Sequence, residues 1–255
     1  MLQQTPVARV QPLWLEWMSR WPKPADLASA TQAEAITAWG KLGYPRRAKR
    51  LYESACIIVA QHEGVVPQGL DELLALPGIG DYTARAVRTF AFSIPEPIVD
   101  TNIRRVVARA VLGNGEAGPP RTSADRADVS AVLEAIDPHD QVDFAKGLME
   151  LGALVCTART PHCNDCPLLD SCAWAQADYP AFEGKKAPTQ ARYEGSDRQV
   201  RGIFLGELRE SDIPIPQSFL LGLWPDKHQA TRALTSLITD GLLVADDHGD
   251  ISLAN

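Results

Sequence analysis

The chain has 255 residues, of which 45% are hydrophobic and 22% charged, and its formal net charge is −7. That composition describes an ordinary globular protein able to bury one large core or two modest ones, and no apolar run reaches the roughly 18 residues of a membrane-spanning helix. The acidic balance excludes a uniformly basic surface but not local basic clusters, and phosphate contact depends on the latter.

From Thr5 to about Glu63 the pattern is helical: Trp14, Trp17 and Met18 recur at i, i+3 and i+4, and Ala48, Leu51, Tyr52 and Ala55 repeat the spacing. The tryptophans are expected in the core. Pro22, Pro24, Gly43, Pro45, Gly64 and Pro67 cut this stretch into short helices. Lys41, Arg46, Arg47, Lys49 and Arg50 form one basic cluster and Arg104, Arg105 and Arg109 another; each reads equally as a solvated helix face. Further helices are predicted over residues 70–75, 81–92, 102–112, 123–135 and 141–154, with almost nothing reading as strand, so the class is all-α.

Residues 177–197 are polar, contain Pro180, Gly184, Lys185, Lys186, Pro188 and Gly195, and read as a linker. Beyond it, residues 198–255 are expected to form a compact unit of their own. Helices over 200–208 and 227–240 precede a hairpin of 242–245 and 251–253 that turns at His248-Gly249, a winged-helix-like order to which a plain helical tail is the alternative.

Cys156, Cys163, Cys166 and Cys172 have the spacing C-x6-C-x2-C-x5-C. Four thiolates within a short, loop-rich stretch suit a [4Fe-4S] cluster, with Pro161, Asn164 and Pro167 supplying turns. A structural zinc site usually pairs two close knuckles, and here only the central pair is close. A disulfide framework would leave Cys56 over, and nothing at the N-terminus resembles a signal peptide. The cysteine usage implies a reducing compartment, hence the cytoplasm.

Leu76-Pro77-Gly78-Ile79-Gly80 joins two predicted helices. Two glycines around one apolar residue permit a tight helix-hairpin-helix turn, and its free amides can meet a phosphate. Val99-Asp100-Thr101-Asn102 follows some twenty residues on; taken alone, Asp100 or Asn102 reads as a helix N-cap.

This ordered set resembles the helix-hairpin-helix DNA glycosylase superfamily, in its iron-sulfur branch of endonuclease III and MutY adenine glycosylase types. Met1-Leu2-Gln3-Gln4-Thr5, Gly43-Tyr44 with Arg46-Arg47-Ala48, residues 76–87, 99–105 and 150–156 carry the resemblance, over about two-thirds of the chain. It implies a six-helix lobe (1–116) without the family's first helix and a cluster lobe (117–176), ahead of the linker (177–197) and the C-terminal module (198–255) read above. It also implies a monomer, without membrane attachment, acting on double-stranded DNA with adenine opposite 8-oxoguanine or guanine by flipping the target nucleotide.

Several roles follow from the resemblance. Bifunctional members carry a lysine just after the hairpin, whose amine forms a Schiff base; here Tyr82 stands there, and a phenol cannot form an imine. The adenine branch is therefore favoured over the endonuclease III type. Asp100 matches the catalytic aspartate that stabilises the oxocarbenium ion, with Asn102 orienting it. Leu2 and Glu150 match substrate contacts, and Gln3, Gln4, Gly78, Gly80 and Thr83 match DNA contacts, the glutamines as a wedge in the base stack. The family's general acid, a glutamate that protonates adenine, would fall before Met1, so the chain as written is expected to excise adenine poorly. A non-catalytic lesion-binding protein is the remaining alternative. The last 58 or so residues show no resemblance to the Nudix-like domain by which many adenine glycosylases read 8-oxoguanine.

Overall fold

The structure, a computed structural model, describes residues 1–3, 5–185 and 192–255. Gln4 and residues 186–191, which include Lys186 and Pro188 of the expected linker, lie outside the described residues. In chain order the helices are α1 (Val7–Arg20), α2 (Pro24–Ala28), α3 (Gln32–Ala38), α4 (Arg46–Gln61), α5 (Leu70–Ala75), α6 (Asp81–Phe92), α7 (Thr101–Ala110), α8 (Thr122–Glu134), α9 (Gln141–Leu154) and the single turn α10 (Ala173–Gln176). Then come α11 (Asp197–Glu210), β1 (Ile215–Pro216), α12 (Gln217–Gly222), α13 (Lys227–Thr239), β2 (Leu243–Ala245) and β3 (Asp250–Leu253). The all-α class holds, and among the described residues three short strands lie in the last segment.

Contacts divide the chain into two compact units. Residues 1–67, 76–78 and 192–255 form one, and residues 68–75 and 79–185 form the other. This differs from the linear division at 116, 176 and 197, because α7 packs with the helices that follow it and the C-terminal segment packs with the helices at the start.

In the first unit, α1 turns Val10, Leu13, Trp17 and then Trp21 inward. Trp17 is 5% exposed, but Trp14 is 48% exposed and Met18 41% exposed, so the expectation that the tryptophans share a core fails at Trp14, which lies about 60° round the helix from Trp17, at the margin of the buried stripe. Trp17 meets Trp21 and Trp39 edge-on at centroid distances of 4.9 and 5.8 Å, and its indole N–H donates to Ala38 O at 3.0 Å, so the polar tip is satisfied. A capping box starts α3: Thr31 Oγ1 accepts from Glu34 N at 3.1 Å and Thr31 N donates to Glu34 Oε2 at 2.9 Å.

The order α11-β1-α12-α13-β2-β3 is that of a winged helix. Its sheet runs β1-β3-β2, all antiparallel, with Ile251 opposite Ile215 on one side and Ala245 on the other. This segment is not a core of its own. Val200, Phe204, Leu220, Leu237, Leu243 and Ile251 share one apolar cluster with Trp17, Ile36, Trp39, Ala48 and Ala55, as fits a segment of under 60 residues, which buries too little surface alone. Gln32 Nε2 fastens the two ends of the chain, donating to Gly241 O at 2.9 Å and Ala254 O at 3.3 Å. Neither β1 nor α12 was expected: two residues show no alternation, and six residues hold less than two helical turns.

In the second unit α7 is central. Ile103, Val106 and Val107 on its inner face pack with Ile98, Val129 and Leu148. Against α9 the approach is closest at Gly152, where a Cβ would stand 2.8 Å from both Cβ and O of Asn102. Asp125 of α8, 6% exposed, accepts from Arg104 Nε at 2.6 Å and from Arg121 N at 2.8 Å. Burial alone would push its carboxyl up, but these hydrogen bonds and the Arg104 charge outweigh burial and hold it below the usual carboxylate range.

Candidate active site

Asp100 is the N-cap of α7. Its Oδ1 accepts from Ile103 N at 2.7 Å, which satisfies one of the helix's free amides, and its Oδ2 accepts from Asn102 Nδ2 at 3.0 Å. The capping role and the catalytic role read from the sequence are thus compatible, because the cap fixes the carboxylate at a positive helix terminus and leaves lone pairs on both oxygens. Asn102 Oδ1 in turn accepts from Arg105 Nη2 at 2.9 Å. The same guanidinium donates to Gly152 O at 2.5 Å and, through Nε, to Cys156 O at 2.6 Å. A continuous hydrogen-bonded chain therefore runs from the carboxylate to the backbone of the first cysteine. Burial lowers the Arg105 pKa, and the Cys156 sulfur opposes that; the group stays a cation.

Tyr82, in the first turn of α6, is 36% exposed. Burial raises its phenol pKa and the Asp100 charge raises it further, so the hydroxyl keeps its proton. Gly80 is the N-cap of α6 and supplies no side-chain cap, and Thr83 lies in the first turn of that helix. Glu150 stands exposed on α9 two residues before Gly152, with no hydrogen bond or ion pair among the described residues. The structure thus links Asp100 with Asn102 directly and with Tyr82 electrostatically, and leaves Glu150 outside that network.

Leu2, Gln3 and Gly78 belong to the other unit. Leu2 is exposed, Gln3 Nε2 donates to Gly78 O at 3.4 Å, and Ser54 Oγ holds Pro77 O at 2.9 Å. Gly78 has φ +78, the left-handed conformation for which the hairpin uses glycine. Gln4 lies outside the described residues.

Cys156 follows α9, Cys163 opens a 3₁₀ turn that Cys166 closes, and Cys172 precedes α10. All four are free thiols, and all four line one cavity with Arg109, Leu169 and Trp174. Burial pushes the Cys166 thiol up and the Cys156, Cys172 and Cys163 sulfurs add to it. Among the described residues no three His, Cys, Asp or Glu side chains close on a single ion. Four thiols lining one cavity are a donor set that an iron-sulfur cluster could take. Arg109, 3% exposed, donates to Gly115 O (2.9 Å), Thr157 O (2.8 Å), Ala158 O (3.2 Å) and Cys156 Sγ (3.3 Å), and stacks 4.7 Å from the Trp174 centroid. Sequence reasoning noticed Arg105 and Arg109 only as charges. Their four-residue spacing on one helix face, ahead of a cysteine run, was the available signal.

The family description "HhH-GPD superfamily base excision DNA repair protein" matches residues 1–130, and the chain belongs to that superfamily. The adenine DNA glycosylase of Mycobacterium tuberculosis is 51% identical over 99% of this chain and 82% of its own length, and that of Mycolicibacterium smegmatis is 50% identical over 100% and 85%. A solved structure of a thermostable thymine-DNA glycosylase has a TM-score of 0.60 at 25% identity, over 69% of this chain and 80% of that one. Within the superfamily the chain belongs to the MutY type. Among the described residues no helix is long and apolar enough to cross a membrane.

Proposed function

We infer that this chain is a monofunctional adenine DNA glycosylase of base excision repair, which hydrolyses the N-glycosidic bond of adenine opposite 8-oxoguanine or guanine. The observation that carries the reading is the pairing of a fixed carboxylate, Asp100, with a phenol, Tyr82, where a lyase needs an amine. As adenine leaves, positive charge builds on the sugar, and the Asp100 carboxylate stabilises it at C1′. Asn102 and the Ile103 amide hold the two oxygens so that little reorganisation is needed. Tyr82 keeps its proton and donates a hydrogen bond; water then takes the sugar carbon and adenine departs with a proton from a general acid.

Cys156, Cys163, Cys166 and Cys172 hold a [4Fe-4S] cluster in this reading, and Arg109 offers its charge to the thiolates. The bound cluster supplies a covalent cross-brace to the loop after α9, and through Cys156 O, Arg105 and Asn102 that loop supports Asp100. The substrate is duplex DNA, the protein acts as a monomer, and the compartment is the cytoplasm.

The test is single-turnover adenine release from a duplex with adenine opposite 8-oxoguanine, run on this chain and on a version extended upstream to include a glutamate, with borohydride trapping in parallel. Adenine release by the extended version without a trapped adduct is expected. A trapped protein–DNA adduct, or release of oxidised pyrimidines instead of adenine, would overturn the reading.

A further inference from the structure

The basic cluster around the start of α4 divides once its side chains are followed. Arg47 turns inward: Nη1 donates to Thr5 Oγ1 at 3.0 Å, Nη2 donates to Met1 O, and the guanidinium lies 5.2 Å from the Trp39 centroid. Lys49 donates to Asp240 O at 3.1 Å and stands 3.8 Å from Glu53, while Arg46 lies 3.5 Å from the Asp240 carboxylate, which Arg201 also holds. Arg46 and Lys49 thus serve the junction between the N-terminal helices and the winged helix, and Arg47 ties the chain start to Trp39. Of the five, Arg50 alone both lacks a hydrogen-bond or ion-pair partner among the described residues and stands against the hairpin. It is exposed, yet its stem is packed so closely that a Cβ on Gly78 would lie 2.9 Å from both its Cβ and Cδ. Gln3 Nε2 reaches the same glycine from its carbonyl side.

We propose that Arg50 is a DNA-backbone contact whose ligand is a phosphodiester group beside the Gly78 turn. A guanidinium with no counter-charge presents a planar fork of donors suited to two phosphate oxygens. Packing the stem on the turn removes much of the rotamer freedom that binding would otherwise cost. The adjacent turn amides favour the same anion. The contact carries no base information, so Arg50 adds affinity for any duplex and leaves the choice of base to other groups. This rests on the DNA glycosylase reading.

The experiment measures equilibrium binding of the wild-type chain, Arg50→Gln, Arg50→Lys and Arg46→Gln to an undamaged duplex and to one with adenine opposite 8-oxoguanine, across a salt series. Arg50→Gln is expected to lower the slope of log K against log salt by about 0.9, which at about 0.1 M salt corresponds to about an eightfold weaker complex. The loss should be equal on both duplexes; Arg50→Lys, which keeps the charge but not the fork, should restore the slope and only part of the affinity. Arg46→Gln removes the same charge one helical turn away and should keep the wild-type slope. A wild-type slope in Arg50→Gln, an equal loss in Arg46→Gln, or a loss confined to the damaged duplex would overturn the proposal. Failure of the wild-type chain to bind either duplex would instead overturn the glycosylase reading on which it rests. Arg50 is exposed, so an unchanged melting temperature in Arg50→Gln should accompany the binding change.

Discussion

Gly152→Ala is a one-carbon test of whether the α7–α9 contact positions the carboxylate. The new Cβ would lie 2.8 Å from Asn102 Cβ, 2.8 Å from Asn102 O and 2.9 Å from Asn102 C. Two of these atoms are backbone, so no side-chain rotation relieves the clash. Reaching an ordinary carbon–carbon contact of about 3.5 Å requires α7 and α9 to part locally by roughly 0.7 Å. Overpacking of this kind costs about 1–3 kcal/mol, and for a unit of this size each kcal/mol lowers the melting temperature by about 4 °C. The same displacement stretches the bond from Arg105 to Gly152 O and shifts Asn102, two residues from Asp100. Misplacing a reacting group by an ångström can cost about a hundredfold, so single-turnover adenine release should fall by about tenfold to a hundredfold. Thermal unfolding and single-turnover kinetics on the upstream-extended protein read both effects. A variant that melts within about 1 °C of wild type and excises at the wild-type rate would refute the argument.

Asp100→Asn should separate capping from chemistry: asparagine caps as well as aspartate, so the melting temperature should hold while adenine release falls by more than about a hundredfold, and a matching loss of stability would count against the assignment. Arg109→Gln removes a buried cation that donates to three carbonyls and to Cys156 Sγ; it should cost about 3 kcal/mol and reduce the iron bound per purified chain, and wild-type iron content would contradict the role given to it. In the winged helix, hydrogen bonds from Arg232 and then Gln229 lower Asp197 to about 2. A carboxyl depressed in the folded state contributes above its unfolded value near 4 and loses that contribution as pH falls through the folded one. The melting-temperature gap between wild type and Asp197→Asn should therefore be open at neutral pH and close towards pH 2, and a gap that widens on acidification would show the sign to be wrong.

Much of this architecture is legible in the sequence where the signal is local. The helices at 81–92 and 141–154 end where their periodicity ends, and Gly78, Asp100 and the four cysteines are types that few other chemistries require at those places. What is not legible is set by contacts distant in sequence. Trp14 and Trp17 are three residues apart on one helix, and only the packing of α1 decides that the second is buried. The shared core of the two chain ends, with Gln32 reaching Ala254, has no local signature at all. Arg46, Lys49 and Arg50 look alike as letters, yet Asp240, nearly two hundred residues on, claims two of them and leaves the third against the hairpin. Arg105 escaped notice as more than a charge because its side chain donates to two carbonyls outside its own helix and to a side chain one turn back.

The joining of the two chain ends also orders events on the ribosome. The helices that carry Trp17, Ile36 and Trp39 emerge first, but the residues that complete their core, Leu237 and Ile251 among them, emerge last. At about 5–20 residues per second, the 187 residues between Pro67 and Ala254 take roughly 10–40 s to synthesise. Through that interval the apolar faces of α1 to α4 wait unfinished, while the segment that carries Asp100 and the cysteines has its core partners already at hand. Nascent-chain aggregation and chaperone demand should therefore concentrate in the first 67 residues, and a ribosome stalled before residue 237 should hold a folded second unit behind an unfolded start.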